Sequence, residues 1–260
     1  MMNEKVLGST GIKISEIGQG TWNYKGDVVP LRLGVSLGAT HIDTAEIYGT
    51  EEVVGKAIEG IRDKVFLATK VWSDHLGYDD LLRAAEGSLH RLGVKCLDLY
   101  LVHWPNPAFP IRETMRAMEE LVKCGKIKHI GVSNFSLEEL KEAQESLSSQ
   151  DIVANQVKYS LDAREIEEDL IPYCKSQKIT VVAYSPIKGL AIRKGNDLLE
   201  EIASKHGKTR TQVALNFLTS EENVVAIPKA NSLEHVKENC GASGWRLSKE
   251  DVRRISERFK

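Results

Sequence analysis

The sequence predicts an α/β protein, a (β/α)8 TIM barrel with an N-terminal β-hairpin and a C-terminal helix, on three observations. Short apolar runs alternate eight times with longer stretches of helical period, and the 260 residues are close to the roughly 250 that such a barrel uses. Runs such as ITVVA are apolar without alternation, as strands buried on both faces are. No linker or low-complexity segment interrupts the chain, so 1–260 is expected to form one domain.

Residues 5–15 open as a hairpin, with Val6 and Leu7 leading into a turn between Gly8 and Gly11, then Ile12 and Ile14 alternating with polar neighbours. The units then follow in order. EIGQG precedes a helix at 28–37, THID one at 51–58, KVFLATK one at 78–92, and LDLYLVH one at 111–122. KIKHIGVS precedes 137–143, IVANQV precedes 165–174, ITVVAY precedes 198–218 with a break near Gly207, and VVAI precedes 233–239. Ser136 with Glu139 and Ser248 with Asp251 fit capping boxes, the second opening a final helix whose Val252, Ile255 and Phe259 share one side. The alternative is an open doubly wound sheet, whose phosphate fingerprint has a glycine spacing that GQGTW lacks.

A formal net charge of -2 leaves no footprint for nucleic acid or an anionic membrane, so the expected partner is a small molecule. The four cysteines are far apart and form no CxxC pair, and no His stands at ligand spacing from them. We therefore expect no metal site and a reduced, cytoplasmic compartment, with the thiols packed as core residues. MMNEKVLGSTG carries no apolar run that would serve as a signal peptide, and nowhere do 18 apolar residues stand together. A soluble, unprocessed monomer is expected.

Chemistry concentrates at three successive strand ends. Asp43 ends THID with Tyr48 five residues on, Lys70 ends KVFLATK, and His103 ends LDLYLVH. In a barrel such positions line the active-site face, and three neighbouring strand ends span roughly 10 Å. Singly, each has an ordinary explanation: a helix cap, a solvated lysine, a core histidine beside Trp104 and Pro105. Together they form a set that general acid catalysis requires. A phenol holds its proton too tightly at neutral pH, a neighbouring ammonium pulls it down, and a carboxylate keeps that ammonium charged. Asp43 would hold Lys70, Lys70 would tune Tyr48, and His103 would orient a carbonyl for protonation by Tyr48.

DTAEIYG, the lysine ending the third strand, His-Trp-Pro after the fourth, GVSNF and IPKANSLEHVKEN occur in an order and spacing that resemble the aldo-keto reductase family over essentially the full length. The resemblance implies a barrel that binds NADPH, with NADH as the second candidate, and reduces small-molecule aldehydes or ketones reversibly. It implies the tetrad Asp43, Tyr48, Lys70 and His103. It also implies a cofactor groove in which Ser133, Asn134 and Gln156 bond the nicotinamide carboxamide, Tyr184 stacks on its ring, and Ser185, Pro186 and Leu190 follow the pyrophosphate. Thr21, Trp22, Ile227, Ala230 and Asn231 would complete that groove, Glu238 and Asn239 would meet the adenine, and Lys229 beside a helix N-terminus would meet a 2'-phosphate. Two positions depart from the family pattern: His235 stands where an arginine usually clamps the phosphate, and Ala230 where a hydroxyl is frequent. A neutral imidazole does not replace a bidentate guanidinium. Short segments at 106–111 and 188–196 imply an open substrate pocket walled by Trp22, Trp72 and Trp104 beside Tyr48 and His103, tolerant of several carbonyl compounds. Two other functions fit the same residues. One is a cofactor-binding accessory subunit without turnover; the other is a Schiff-base aldolase with Lys70 as nucleophile.

Overall fold

A computed structural model describes residues 1–189 and 197–259 of the chain. Strands β1 (Glu4–Val6) and β2 (Lys13–Ser15) pair antiparallel, forming the expected hairpin. Gly8 takes φ +51 in its turn, and a Cβ there would stand 2.7 Å from the carbonyl oxygen of Val153, so both the backbone and the space require glycine.

The eight strands β3 (Gln19–Gly20), β4 (His41–Asp43), β5 (Phe66–Val71), β6 (Leu97–Val102), β7 (Ile127–Ser133), β8 (Ile152–Lys158), β9 (Thr180–Tyr184) and β10 (Val224–Ala226) form one parallel sheet in chain order. The sheet is curled, and backbone hydrogen bonds connect residues at its first and last strands. Gly18 donates its N–H to the Ala226 carbonyl at 2.8 Å, Ala226 donates to Glu16 at 2.9 Å, and Gly20 donates to Pro228 at 3.2 Å. Its strands are apolar on both sides because each side has its own core. Ala68, Leu99, Leu101, Val182 and Val225 pack on the inner face with Leu7 and Ile14 of the hairpin. Ile42, Leu67, Val71, Val102 and Val132 pack on the outer face against the helices.

Those helices are α1 (Val28–Ser36), α2 (Glu51–Ile58), α3 (Tyr78–Leu92), α4 (Ile111–Lys123), α5 (Leu137–Ser146), α6 (Leu170–Ser176), α7 (Asp197–His206), α8 (Arg210–Leu218), α9 (Leu233–Cys240) and α10 (Lys249–Arg258). None of the described helices is long and apolar enough to cross a membrane. The break near Gly207 is real: that residue takes φ +61, and α8 restarts with a reciprocal box between Thr209 and Gln212. The stretch expected as one helix at 165–174 is a 3-10 turn, Glu165–Glu167, followed by α6.

The Ser136 and Glu139 box has both of its bonds. The Ser248 and Asp251 box has one. Ser248 accepts from the Asp251 N–H, but the Asp251 carboxylate accepts from the Ser248 hydroxyl at 2.7 Å and from Lys205 and His206 of α7, each at 2.9 Å. A charged partner outbids the backbone N–H that a box would satisfy. The thiols also differ from expectation: Cys174 is buried, Cys96 and Cys240 are half-buried, and Cys124 is exposed.

His41, two residues before Asp43 on β4, is fully buried, and among the described residues neither ring nitrogen has a hydrogen-bond partner. Burial lowers its pKa to about 4, against a pull upward from Asp43. Between pH 6.5 and about 4 the unfolded chain therefore takes a proton that the folded chain refuses, so stability falls as pH falls through that window. We expect this residue to account for a loss of about 3 kcal/mol there. Urea unfolding as a function of pH checks this, and His41→Leu should flatten that portion of the curve.

Candidate active site

Register fixes how the strand ends relate. Asp43 pairs with Ala68 of β5, and Lys70 pairs with Leu101 of β6. Lys70 thus stands two residues past the neighbour of Asp43, and His103 stands two past the neighbour of Lys70. The three strand ends form a staircase, because strands in a curled parallel sheet are tilted and staggered. Steps of two residues keep all three side chains on the inner face, since side-chain direction along a strand repeats every second residue.

Tyr48 comes from the 3-10 turn Glu46–Tyr48 after β4, closed by Gly49 at φ +66. The Thr50 hydroxyl then lies 2.8 Å from that of Thr44 and 3.0 Å from that of Thr21, while Thr21 donates to the Asp43 carbonyl at 2.9 Å. These buried hydroxyls fasten the turn to the ends of β3 and β4.

Beneath the turn, Lys70 Nζ donates to Asp43 Oδ1 at 2.6 Å and to the Thr44 carbonyl at 2.8 Å. Gln156 Nε2 donates to Asp43 Oδ2 at 2.8 Å. Lys70 Nζ lies 4.9 Å from the centroid of the Tyr48 ring, and the Tyr48 hydroxyl lies 3.2 Å from His103 Nε2. The His103 ring stands edge-on between those of Tyr48 and Trp72, 5.3 Å from each.

Burial opposes the charge on Lys70, yet Asp43, with Tyr48, outweighs it and holds the amine above its ordinary pKa. For Tyr48, burial pushes the phenol up, Lys70 pulls it back, and Asp43 adds to the rise. The net direction is upward. This runs against the expectation that the neighbouring ammonium pulls the phenol down: in the free protein desolvation outweighs Lys70, and Asp43 adds to the rise. Burial, with the Lys70 charge, lowers His103 to about 3, so its imidazole is neutral through the physiological range.

These groups open onto a cavity of about 750 Å³. Of the residues expected from sequence, Thr21, Trp22, Asp43, Tyr48, Trp72, His103, Trp104, Ser133, Asn134, Gln156, Tyr184, Ser185, Pro186, Ile227 and Lys229 line it. Lys70 lies beneath, with no exposed surface. Asn134 donates to the His103 carbonyl at 3.0 Å and accepts from the Tyr184 hydroxyl at 2.9 Å, and Ser133 donates to the Gln156 carbonyl at 2.8 Å. Asn134 and Ser185 hold φ of +61 and +51, left-handed conformations uncommon outside glycine, at the ends of β7 and β9. Both line the cavity.

Ala230, Asn231, His235, Glu238 and Asn239 lie off the cavity wall, on the loop after β10 and on α9. Ser232 caps α9 by accepting from the His235 N–H at 3.3 Å. Asn231 accepts from the Lys25 N–H at 3.2 Å, and Lys229 donates to the Asn23 carbonyl at 3.3 Å. Leu190 and most of the short segment at 188–196 fall outside the described residues. Sequence reading missed Asn23, Ile47, Lys158, Ile187 and Lys188, which also line the cavity. The adjacency of Ile47 to Tyr48 and of Lys158 to the end of β8 was the available signal. A larger and more open depression of about 1050 Å³ runs beside α2 and the end of α3, where Arg62, Arg91 and Lys128 are paired with Asp98 or Glu51. It gathers no comparable set of groups.

Residues 15–258 match the Aldo/keto reductase family. The chain is 38% identical to methylglyoxal reductase YeaE of Escherichia coli over 99% of this chain and 96% of that protein. It is 39% identical to glyoxal reductase of Bacillus subtilis over 86% of this chain and 80% of that one. A thermostable aldo-keto reductase solved with the inhibitor epalrestat superposes with a TM-score of 0.93 at 44% identity, covering 98% of this chain and 99% of that one. An aldo/keto reductase from Klebsiella pneumoniae, solved with NADP and acetate, superposes with a TM-score of 0.92 at 38% identity, covering 98% and 95%.

Proposed function

Since the chain belongs to the aldo/keto reductase family, we propose that it reduces aldehydes and ketones to alcohols, with NADPH as the preferred reductant and NADH as the alternative. The observation that carries this is the buried Lys70 and Asp43 ion pair directly beneath a phenol that faces a neutral imidazole. In the same proposal the curled sheet closes as a (β/α)8 barrel, supported by the hydrogen bonds joining Gly18, Gly20 and Glu16 to the strand of Ala226.

The cavity suits a dinucleotide along its length. Ser133, Asn134 and Gln156 would read the nicotinamide carboxamide, Tyr184 would lie against the ring, and Ser185 and Pro186 would follow the pyrophosphate. Thr21, Trp22 and Ile227 would flank it, Lys229 with Asn231 and the start of α9 would meet the 2'-phosphate, and Glu238 and Asn239 would meet the adenine. When bound, this group supplies hydride to the carbonyl carbon. The neutral His103 donates Nε2–H to the carbonyl oxygen and sets its position. Tyr48 delivers its proton to that oxygen as negative charge builds there, and Lys70 stabilises the phenolate left behind. An ammonium kept charged by Asp43 suits this role and is a poor nucleophile, which disfavours the aldolase alternative.

The names of the relatives point to methylglyoxal and glyoxal, so small 2-oxoaldehydes are proposed among the substrates. Trp22 is 56% exposed and Trp104 44%, leaving an open apolar wall that would accept larger carbonyl compounds as well. The test is NADPH oxidation across a panel containing both kinds. Tight NADPH binding with no turnover on any of them would overturn the proposal in favour of an accessory subunit.

The coenzyme's phosphate preference has its own test. His235→Arg is expected to tighten NADPH about tenfold and leave NADH unchanged, because a guanidinium grips a phosphate with two bonds. Parallel fluorescence titrations of both nucleotides read the difference.

A further inference from the structure

The outer face of the sheet carries a buried carboxylate that the proposed chemistry leaves unused. Glu51, the first residue of α2, is 1% exposed. The Thr69 hydroxyl, itself fully buried, donates to its Oε1 at 2.6 Å, and Arg91 of α3 donates from Nε to its Oε2 at 2.6 Å. Hiding an ionised carboxylate is unfavourable unless it is paired and hydrogen-bonded, and an apolar residue of similar size fills such a place at less cost. Stability alone is a weak reason for it.

Its place in the chain supplies a stronger one. Glu51 follows Tyr48 by three residues, and Thr69 is the residue before Lys70. Along β5 alternate residues face opposite ways, so Thr69 points outward where Lys70 points inward. The Tyr48 turn is therefore tied to β5 from both faces: inside by Lys70 donating to the Thr44 carbonyl, and outside by Thr69 donating to Glu51.

We propose that Glu51 and Thr69 are positioning residues that hold the Tyr48 turn in register with Lys70, with Arg91 keeping the Glu51 carboxylate in place. This rests on the proposed reductase function, because it assigns their purpose to the Tyr48 and Lys70 pair. The phenol is faced by Lys70, Asp43, His103 and Tyr184. Of these Lys70 alone is a cation that lowers its pKa, so a turn drifting off β5 weakens the one favourable charge. In alcohol oxidation the phenolate acts as the base, so its activity rises as pH climbs through the Tyr48 titration. That limb should move to higher pH when the tether is cut.

Thr69→Val keeps the shape and removes the hydroxyl. In the cofactor-free protein, amide hydrogen exchange at residues 46–51 is expected to rise about tenfold while α10 is unchanged. In alcohol oxidation the alkaline limb should shift upward by about one pH unit and kcat should fall about tenfold, with KM for NADP within about twofold. Thr69→Ser should restore both readouts. Should Thr69→Val not fold, Glu51→Gln keeps the volume while weakening the anchor, and is expected to move exchange and pH limb in the same direction. A folded variant with the parent's exchange at 46–51 and the parent's pH limb overturns the proposal. A parent protein that reduces no carbonyl sinks the reductase function instead, while the exchange measurement still reports on the tether.

Discussion

Tyr48→Phe is expected to lower kcat for carbonyl reduction about a thousandfold and to leave NADPH affinity within about twofold, since a positioned proton donor contributes on that scale. The ring stays, so its edge contact with His103 and the face it presents to Lys70 are preserved. Only the hydroxyl is lost, 3.2 Å from His103 Nε2. Loss of binding and loss of chemistry are thus separated by one variant. Steady-state kinetics beside a fluorescence titration read the two, and turnover above a tenth of the parent's would remove Tyr48 from the role of acid.

Lys70→Met is expected to damage both activity and stability. The ammonium has no exposed surface, and its removal leaves the Asp43 carboxylate, 2% exposed, with Gln156 as its remaining side-chain donor. Breaking a buried pair from one side costs about 3 to 5 kcal/mol, because the surviving charge is stranded. Lys70 holds its proton above the ordinary amine range, so its stabilising contribution is present in full below about pH 10.5 and fades as pH rises through the folded value. Activity should fall at least about a hundredfold, the phenol having lost its neighbouring charge. Asp43→Asn combined with Lys70→Met should recover most of the stability and none of the turnover. Urea unfolding and kinetics on the single and double variants check this, and a double variant with near-parent turnover would refute the assignment.

How much of this was legible in the sequence depends on how far each feature's causes lie along the chain. The strand in ITVVAY was visible because burial on both faces writes itself as a continuous apolar run. The Ser136 cap was visible because both of its bonds lie within one helical turn. The Ser248 box was misread because Lys205 and His206, more than forty residues away, take the Asp251 carboxylate. The stagger of Asp43, Lys70 and His103 was hidden, since register comes from the curl of the whole sheet. The upward direction at Tyr48 was hidden too: an adjacent cation can be inferred from spacing, whereas the desolvation that outweighs it belongs to the packed state. Glu51 and Thr69 passed unnoticed because a Glu opening a helix and a Thr within a strand are what those elements ordinarily contain.

The bonds between the opening segment and residues 219–246 bear on how the molecule is made. Asn3 donates its N–H to Ser243, Lys5 donates to the carbonyls of Thr219 and Val224, and Glu16 pairs with Arg246, all across more than two hundred residues. A ribosome releasing this chain from its N-terminus has therefore delivered the opening strands long before their partners exist. Contacts of such separation are the slow ones to form, so we expect the bonds that join the opening strands to residues 219–246 to come late in folding.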